Sequence, residues 1–147
     1  MSWASLAQTG PAVREAAARP LRAPRVLVVD DDDQMRALLR RTLEDDGYEV
    51  AELNRGTHVL DTLRGDPFDL VILDKEMPGV TGLDLLPALR HEFPRVPVVL
   101  VTAFGGRQVA GRAIRMGAAS YLEKPFRLAQ LRDAIAGLLP PPADQAG

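Results

Sequence analysis

A chain of 147 residues is long enough for one ordinary domain with its own core and too short for two. Hydrophobic residues at 46% and charged residues at 26% are those of a soluble globular protein, and a formal net charge of -2 gives no electrostatic ground for binding nucleic acid. The absence of cysteine excludes disulfides, thiol catalysis and thiolate zinc sites; no signal-peptide core and no run approaching the roughly 18 apolar residues of a membrane span is present, so the cytoplasm is the default location.

Residues 1–24 hold Pro11, Pro20 and Pro24, with Arg14, Arg19 and Arg22 against Glu15. They lack a wide apolar face and read as a weakly basic, flexible or loosely docked tail. The folded domain is expected over residues 25–139, followed by a Pro-rich tail over 140–147. Val26, Leu27, Val28 and Val29 form the first strand, and Asp30, Asp31, Asp32 and Asp33 stand where it meets solvent. Two carboxylates about 4 Å apart repel by roughly 4 kcal/mol at an effective dielectric near 20, so the junction asks for a cation. A solvated loop or helix start is the plainer reading of the run, and Asp33 suits an N-cap for a helix over Gln34 to Glu44.

That helix carries Met35, Leu38, Leu39, Thr42 and Leu43 as an amphipathic stripe and ends at Asp46-Gly47. Tyr48 to Leu53 is a second strand, a turn follows at Asn54-Arg55-Gly56, and a short helix on Val59, Leu60 and Leu63 is stopped by Gly65 and Pro67. Leu70 to Leu73 is the third strand. The third helix presents Leu83, Leu86, Leu89 and Phe93, with Pro87 inside it expected to kink or delay it. Val96 to Val101, a helix on Val109, Ala113 and Ile114 ending at Gly117, Ser120 to Leu122, and a helix on Leu128, Leu131, Ile135 and Leu138 complete five βα units.

Apolar strands alternating with amphipathic helices imply an α/β fold, a doubly wound parallel sheet covered on both faces. Such sheets bind ligands beyond the carboxyl ends of their strands. There the chain places Asp30 and Asp31, then Asp74, Thr102 and Lys124-Pro125. Hard oxygen ligands without histidine or cysteine fit Mg²⁺, and Mg²⁺ with a lysine suits phosphate chemistry at a carboxylate nucleophile. Asp74 ends a central strand and is best placed to attack, Asp30 and Asp31 to hold the metal, Lys124 to neutralise charge and Thr102 to donate its hydroxyl. Singly, Asp74, Thr102 and Lys124 also read as a turn, a strand end and a surface lysine; together, delivered to one edge by independent strands, they do not. Lys124-Pro125 is a candidate cis peptide that would aim the lysine inward, a point left open here.

Val28-Val29-Asp30-Asp31, Leu73-Asp74 with Met77-Pro78 and Gly82, Val101-Thr102-Ala103, and Gly117-Ala118 through Tyr121 to Lys124-Pro125-Phe126 together resemble the receiver domain of bacterial two-component response regulators, over about Arg25 to Leu139. The resemblance implies a flavodoxin-like sheet of order 2-1-3-4-5 and phosphorylation of Asp74 by a histidine kinase or histidine phosphotransfer protein. It implies Mg²⁺ on Asp31 and Asp74, on Asp30 directly or through water, and on the Glu76 backbone carbonyl. Thr102 and Tyr121 match a switch pair, with the face of helix four, strand five and helix five as the contact surface for an unknown downstream protein or a phosphorylation-dependent homodimer. The domain is then a phosphoacceptor and no enzyme beyond its own phosphoryl transfer and dephosphorylation. Glu76 and Phe104, two positions after Asp74 and Thr102, are expected to tune the approach of the hydrolytic water.

The chain is expected to act without an output module. An excised receiver of a larger regulator is an alternative, as is a Mg²⁺-dependent phosphohydrolase with Asp74 as nucleophile, although Glu76 stands where that chemistry wants a second aspartate. His58 and His91 have no partner at ligand spacing, and Gly105, Gly106 and Gly111 match no phosphate-binding loop and read as a mobile loop before helix four. Arg107, Arg112 and Arg115 read as a solvated face.

Overall fold

Each apolar run expected to be a strand is one in the structure, a computed structural model that describes residues 23–139. The elements are β1 (Arg25–Val29), α1 (Asp33–Asp45), β2 (Glu49–Leu53), α2 (Val59–Gly65, entered by a 3-10 turn over Gly56–His58), β3 (Leu70–Asp74), α3 (Gly82–Glu92), β4 (Val98–Thr102), α4 (Arg107–Arg115), β5 (Ser120–Glu123) and α5 (Leu128–Ala136). All paired strands are parallel, in the order β2-β1-β3-β4-β5. Apart from residues 23 and 24, the tails expected over 1–24 and 140–147 lie outside the described residues.

The strands are apolar throughout because helices cover both faces. Alternation sends Leu27, Val29, Val71, Leu73 and Leu100 to one face, where Val59, Leu63, Leu86, Leu89 and Ala113 bring α2, α3 and α4 against them. Val26, Val28, Ile72, Val99 and Val101 face the other way, onto Leu39 and Leu43 of α1 and Leu131 and Ile135 of α5. Each such buried aliphatic side chain stabilises by about 2 kcal/mol. The strand ends are therefore mounted on a wall that yields little. From β1 the chain first runs outward to β2 and then returns past β1 to β3, so the reversal of strand order falls between β1 and β3.

Several sequence expectations need correction. The N-cap of α1 is Asp32 and not Asp33: Asp32 has extended backbone angles and its carboxylate accepts the N–H groups of Gln34 and Met35. Asp33 is the first helical residue, favoured there by the positive end of the helix dipole and paired with Arg36. Leu38 and Ile114, expected on buried stripes, are 43% and 51% exposed. In α4 the sheet accepts only the small Ala113 at close range, and the next residue is turned about 100° away. Val96 and Pro97 lie outside β4, since Pro97 has no N–H to give a central strand and contributes only its carbonyl, to the N–H of Val71. Pro87 does not delay α3, which starts at Gly82 behind a reciprocal cap between Thr81 and Asp84 and runs through the exposed proline to Glu92.

Candidate functional site

Val29 pairs with Leu73 across β1 and β3, so the next residues, Asp30 and Asp74, stand level at the carboxyl edge. Both are 2% exposed, while Asp31 faces solvent. One carboxylate oxygen from each of Asp30, Asp31 and Asp74 lies within 4.8 Å of the others. Lys124 follows β5, joined to Pro125 by a cis peptide bond. Its Nζ is 3.1 Å from Oδ2 of Asp30 and 3.6 Å from Oδ1 of Asp74. The backbone N–H of Asp32 donates to Asp30 Oδ1 at 2.9 Å, and that of Glu76 to Asp74 Oδ1 at 3.2 Å. Gly82 lets α3 start directly beneath β3, because a Cβ there would come within 2.6 Å of the Asp74 carbonyl oxygen.

Burial first, and then the charge of Asp30, push the Asp74 carboxyl up to about 7, against the pull of Lys124 and the Glu76 N–H. Burial by itself would lower Lys124, but Asp30 and Asp74 outweigh it and leave the ammonium above its usual range. One ammonium thus pairs with two of the three clustered carboxylates, Asp30 and Asp74. The remaining negative charge and the oxygen-only donor set fit a hard divalent cation such as Mg²⁺.

The other side of the site is built by β4. Asp74 pairs with Val101, which places Thr102, fully buried, and then Ala103 beside the acids. The Thr102 hydroxyl donates to one oxygen of the Glu76 carboxylate, and the Ala103 N–H donates to the other at 2.8 Å. Lys75 Nζ adds an ion pair at 3.2 Å. Desolvation would raise Glu76, yet the bonds from Thr102, Ala103 and Lys75 hold its carboxyl below the usual range. Beyond Ala103 the loop runs over Tyr121, whose hydroxyl is buried without a hydrogen-bond partner among the described residues. A Cβ at Gly105 would stand against that hydroxyl and within 2.6 Å of Glu123 Cγ. Gly106, at φ +126, donates its N–H to the Glu123 carboxylate at 3.1 Å. Burial, followed by the charge of Glu123, raises the Tyr121 pKa.

Of the residues singled out in the sequence, Asp30, Asp31, Asp74 and Lys124 are brought into one cluster. Thr102 meets the cluster's neighbour Glu76, and Tyr121 lies under the loop that follows Thr102. His58, His91 and Phe104 are exposed, Phe104 at 72%. Three contributors escaped sequence reasoning: the Ala103 N–H, the Asp32 N–H and the Arg36 guanidinium, which donates to the Asp30 backbone carbonyl at 2.7 Å while pairing with Asp33 and Glu52. Only Arg36 left a signal, the i, i+3 spacing from Asp33. Among the described residues no helix is long and apolar enough to cross a membrane.

Residues 26–136 match the sequence model of a family described as the response regulator receiver domain. The chain is 41% identical over 114 residues to the response regulator protein FleR of Pseudomonas aeruginosa, covering 78% of this chain and 24% of that protein. It is 30% identical over 116 residues to sporulation initiation phosphotransferase F of Bacillus subtilis, covering 79% of this chain and 94% of that one. The structure of chemotaxis protein CheY4 of Vibrio cholerae superimposes with a TM-score of 0.75 at 29% identity, covering 80% of this chain and 99% of that chain. The chain thus spans about a quarter of the length of FleR and nearly all of the phosphotransferase.

Proposed function

The chain belongs to the response regulator receiver domain family, and from that premise we propose that it is a phosphorylation switch with Asp74 as phosphoacceptor. The supporting observation is the cluster in which the Lys124 ammonium reaches both Asp30 and Asp74. The donor is a phosphohistidine on a histidine kinase or histidine phosphotransfer protein. An Asp74 carboxylate oxygen attacks phosphorus, the P–N bond breaks, and the imidazole leaves with its electron pair and takes up a proton.

The Asp30, Asp31 and Asp74 carboxylates and the Glu76 backbone carbonyl are the residues to hold Mg²⁺. Bound there, the ion supplies charge neutralisation at the equatorial oxygens. Lys124, held in place by Asp30, meets another of those oxygens, and Thr102 and the Ala103 N–H donate to a third. Drawing Thr102 toward the phosphoryl group pulls on the loop that covers Tyr121, and the change is read on the face of α4, β5 and α5 by a downstream protein or a second copy of the chain. The same module serves in a longer regulator or on its own.

The test is direct. Incubated with Mg²⁺ and a small acyl phosphate, the protein is expected to gain one acid-stable, base-labile phosphate that Asp74→Asn abolishes. A label that persists in the variant, or turnover of a phosphate ester well beyond one equivalent, overturns the assignment.

A further inference from the structure

The Glu76 carboxylate spends both oxygens on donors that stand beside Asp74, one on the Thr102 hydroxyl and one on the Ala103 N–H. Two donors converging on a single anion make an anion cradle, and strand register sets its place, since Asp74 lies opposite Val101 and the cradle is built by the next two residues. We propose that Glu76 is an internal competitor for this cradle, filling in the unphosphorylated protein the place that a phosphoryl oxygen takes on Asp74. The proposal rests on Asp74 being the phosphoacceptor.

Both anions cannot use the cradle together. A phosphoryl group brings roughly two negative charges and three strong acceptor oxygens, so sharing the donors with a carboxylate would cost a lost hydrogen bond and like-charge repulsion. Glu76 must leave for the phosphoryl group to settle. The surroundings give it somewhere to go. Glu76 itself lines an open pocket of about 530 Å³ together with Lys75, Thr81, Asp84 and Arg112. Lys75 already pairs with Glu76, and Arg112, on α4, is the second cation on that wall. Expulsion therefore gives up two neutral donors, can keep the pair with Lys75, and carries a charge toward Arg112 on α4. Glu76 acts on the transferred group and not on the leaving group, so its effect is common to donors of different size.

The experiment uses the full chain and beryllium fluoride, a phosphoryl analogue that requires no bond cleavage, titrated in excess Mg²⁺ and followed by ¹⁹F NMR. Wild type, Glu76→Gln and Glu76→Ala are compared, with Asp74→Asn as the control that must not bind. Glu76→Ala is expected to bind about tenfold more tightly than wild type, the scale of one charge-assisted hydrogen bond released from competition. Glu76→Gln, which keeps the shape and weakens the acceptor, is expected to gain about threefold and carries the test alone if the alanine variant unfolds. In the unliganded protein the Ala103 amide proton should move upfield from wild type to Glu76→Ala, a shift that loop stabilisation elsewhere would not produce. Affinities equal to wild type, or weaker, in both folded variants overturn the competitor while leaving the phosphoacceptor standing. Failure of wild type and both Glu76 variants to bind would remove the phosphoacceptor reading together with this one.

Discussion

At the β1–β3 end of the site three carboxylates gather round one ammonium that pairs with two of them, whereas at the β4 end two neutral donors and a lysine share one carboxylate. The first half lacks positive charge and has kept its acids in place; the second already holds an anion. The contrast teaches that the two ligands of the proposed reaction face different tasks. A cation enters a prepared site, while a phosphoryl group has to displace a side chain.

The largest effect that tests the first half is on stability against pH. The Asp74 carboxyl sits at about 7, above its unfolded value near 4, so the folded state binds this proton more tightly than the unfolded chain does. Its contribution is complete below the unfolded value and is lost as pH rises through about 7, with a ceiling of about 4 kcal/mol. Urea unfolding without divalent ions should show stability falling from pH 5 to pH 8, and Mg²⁺ should restore it at pH 8 by binding only the folded form. A flat profile, or equal Mg²⁺ stabilisation at both pH values, would break the contrast.

Removal of the shared ammonium comes next. Lys124→Met leaves Asp30 and Asp74 facing each other, and we expect a loss on the order of 3 kcal/mol at pH 8, shrinking at pH 5 where Asp74 carries its proton. The same loss at both pH values would mean that Lys124 acts through packing.

The half made by β1 and β3 was open to sequence reasoning because its residues end strands. A buried strand announces itself by an unbroken apolar run, and the first polar residue after it has one place to stand, at the carboxyl edge. That logic found Asp30, Asp74 and Thr102 without contacts, and the resemblance added the strand order. In the other half only Thr102, which ends β4, was open to it. Glu76 sits in a loop, and nothing in Lys75-Glu76-Met77 says that its carboxylate crosses to Thr102 and Ala103. Backbone donors such as the Ala103 N–H have no side-chain signature at all. The cap of α1 failed for a related reason: with four aspartates in a row, the choice between Asp32 and Asp33 depends on one residue's backbone angles, which composition does not encode. Leu38 and Ile114 show the remaining limit, since a hydrophobic stripe gives a face but not the width of sheet left to cover it.

The loop over Tyr121 sharpens the second half on a smaller scale. Gly105→Ala sets a methyl group against both the Tyr121 hydroxyl and the Glu123 side chain, so one or both must shift. A cost of about 1–2 kcal/mol is expected in thermal unfolding. Tyr121→Phe should recover a measurable part of it in a double-mutant cycle, since it removes the atom that the methyl group meets. Strict additivity would show that the loop reaches β5 through Glu123 alone.

The smallest prediction separates neighbouring acids in the first half. Asp32→Ala removes the carboxylate that caps α1 and should cost about 1 kcal/mol, whereas Asp33→Ala removes an exposed first-turn charge and its pair with Arg36, worth about 0.5 kcal/mol or less. The N–H of Asp32 still donates to Asp30 in the alanine variant, so Mg²⁺ affinity should fall far less than it does in Asp31→Ala. If Asp32→Ala weakened Mg²⁺ as much as Asp31→Ala, the run would act as one diffuse field of negative charge. The geometry argues against that, because Asp31 alone of the three joins Asp30 and Asp74 within ligand reach, Asp32 is bonded to the helix and Asp33 is drawn off by Arg36.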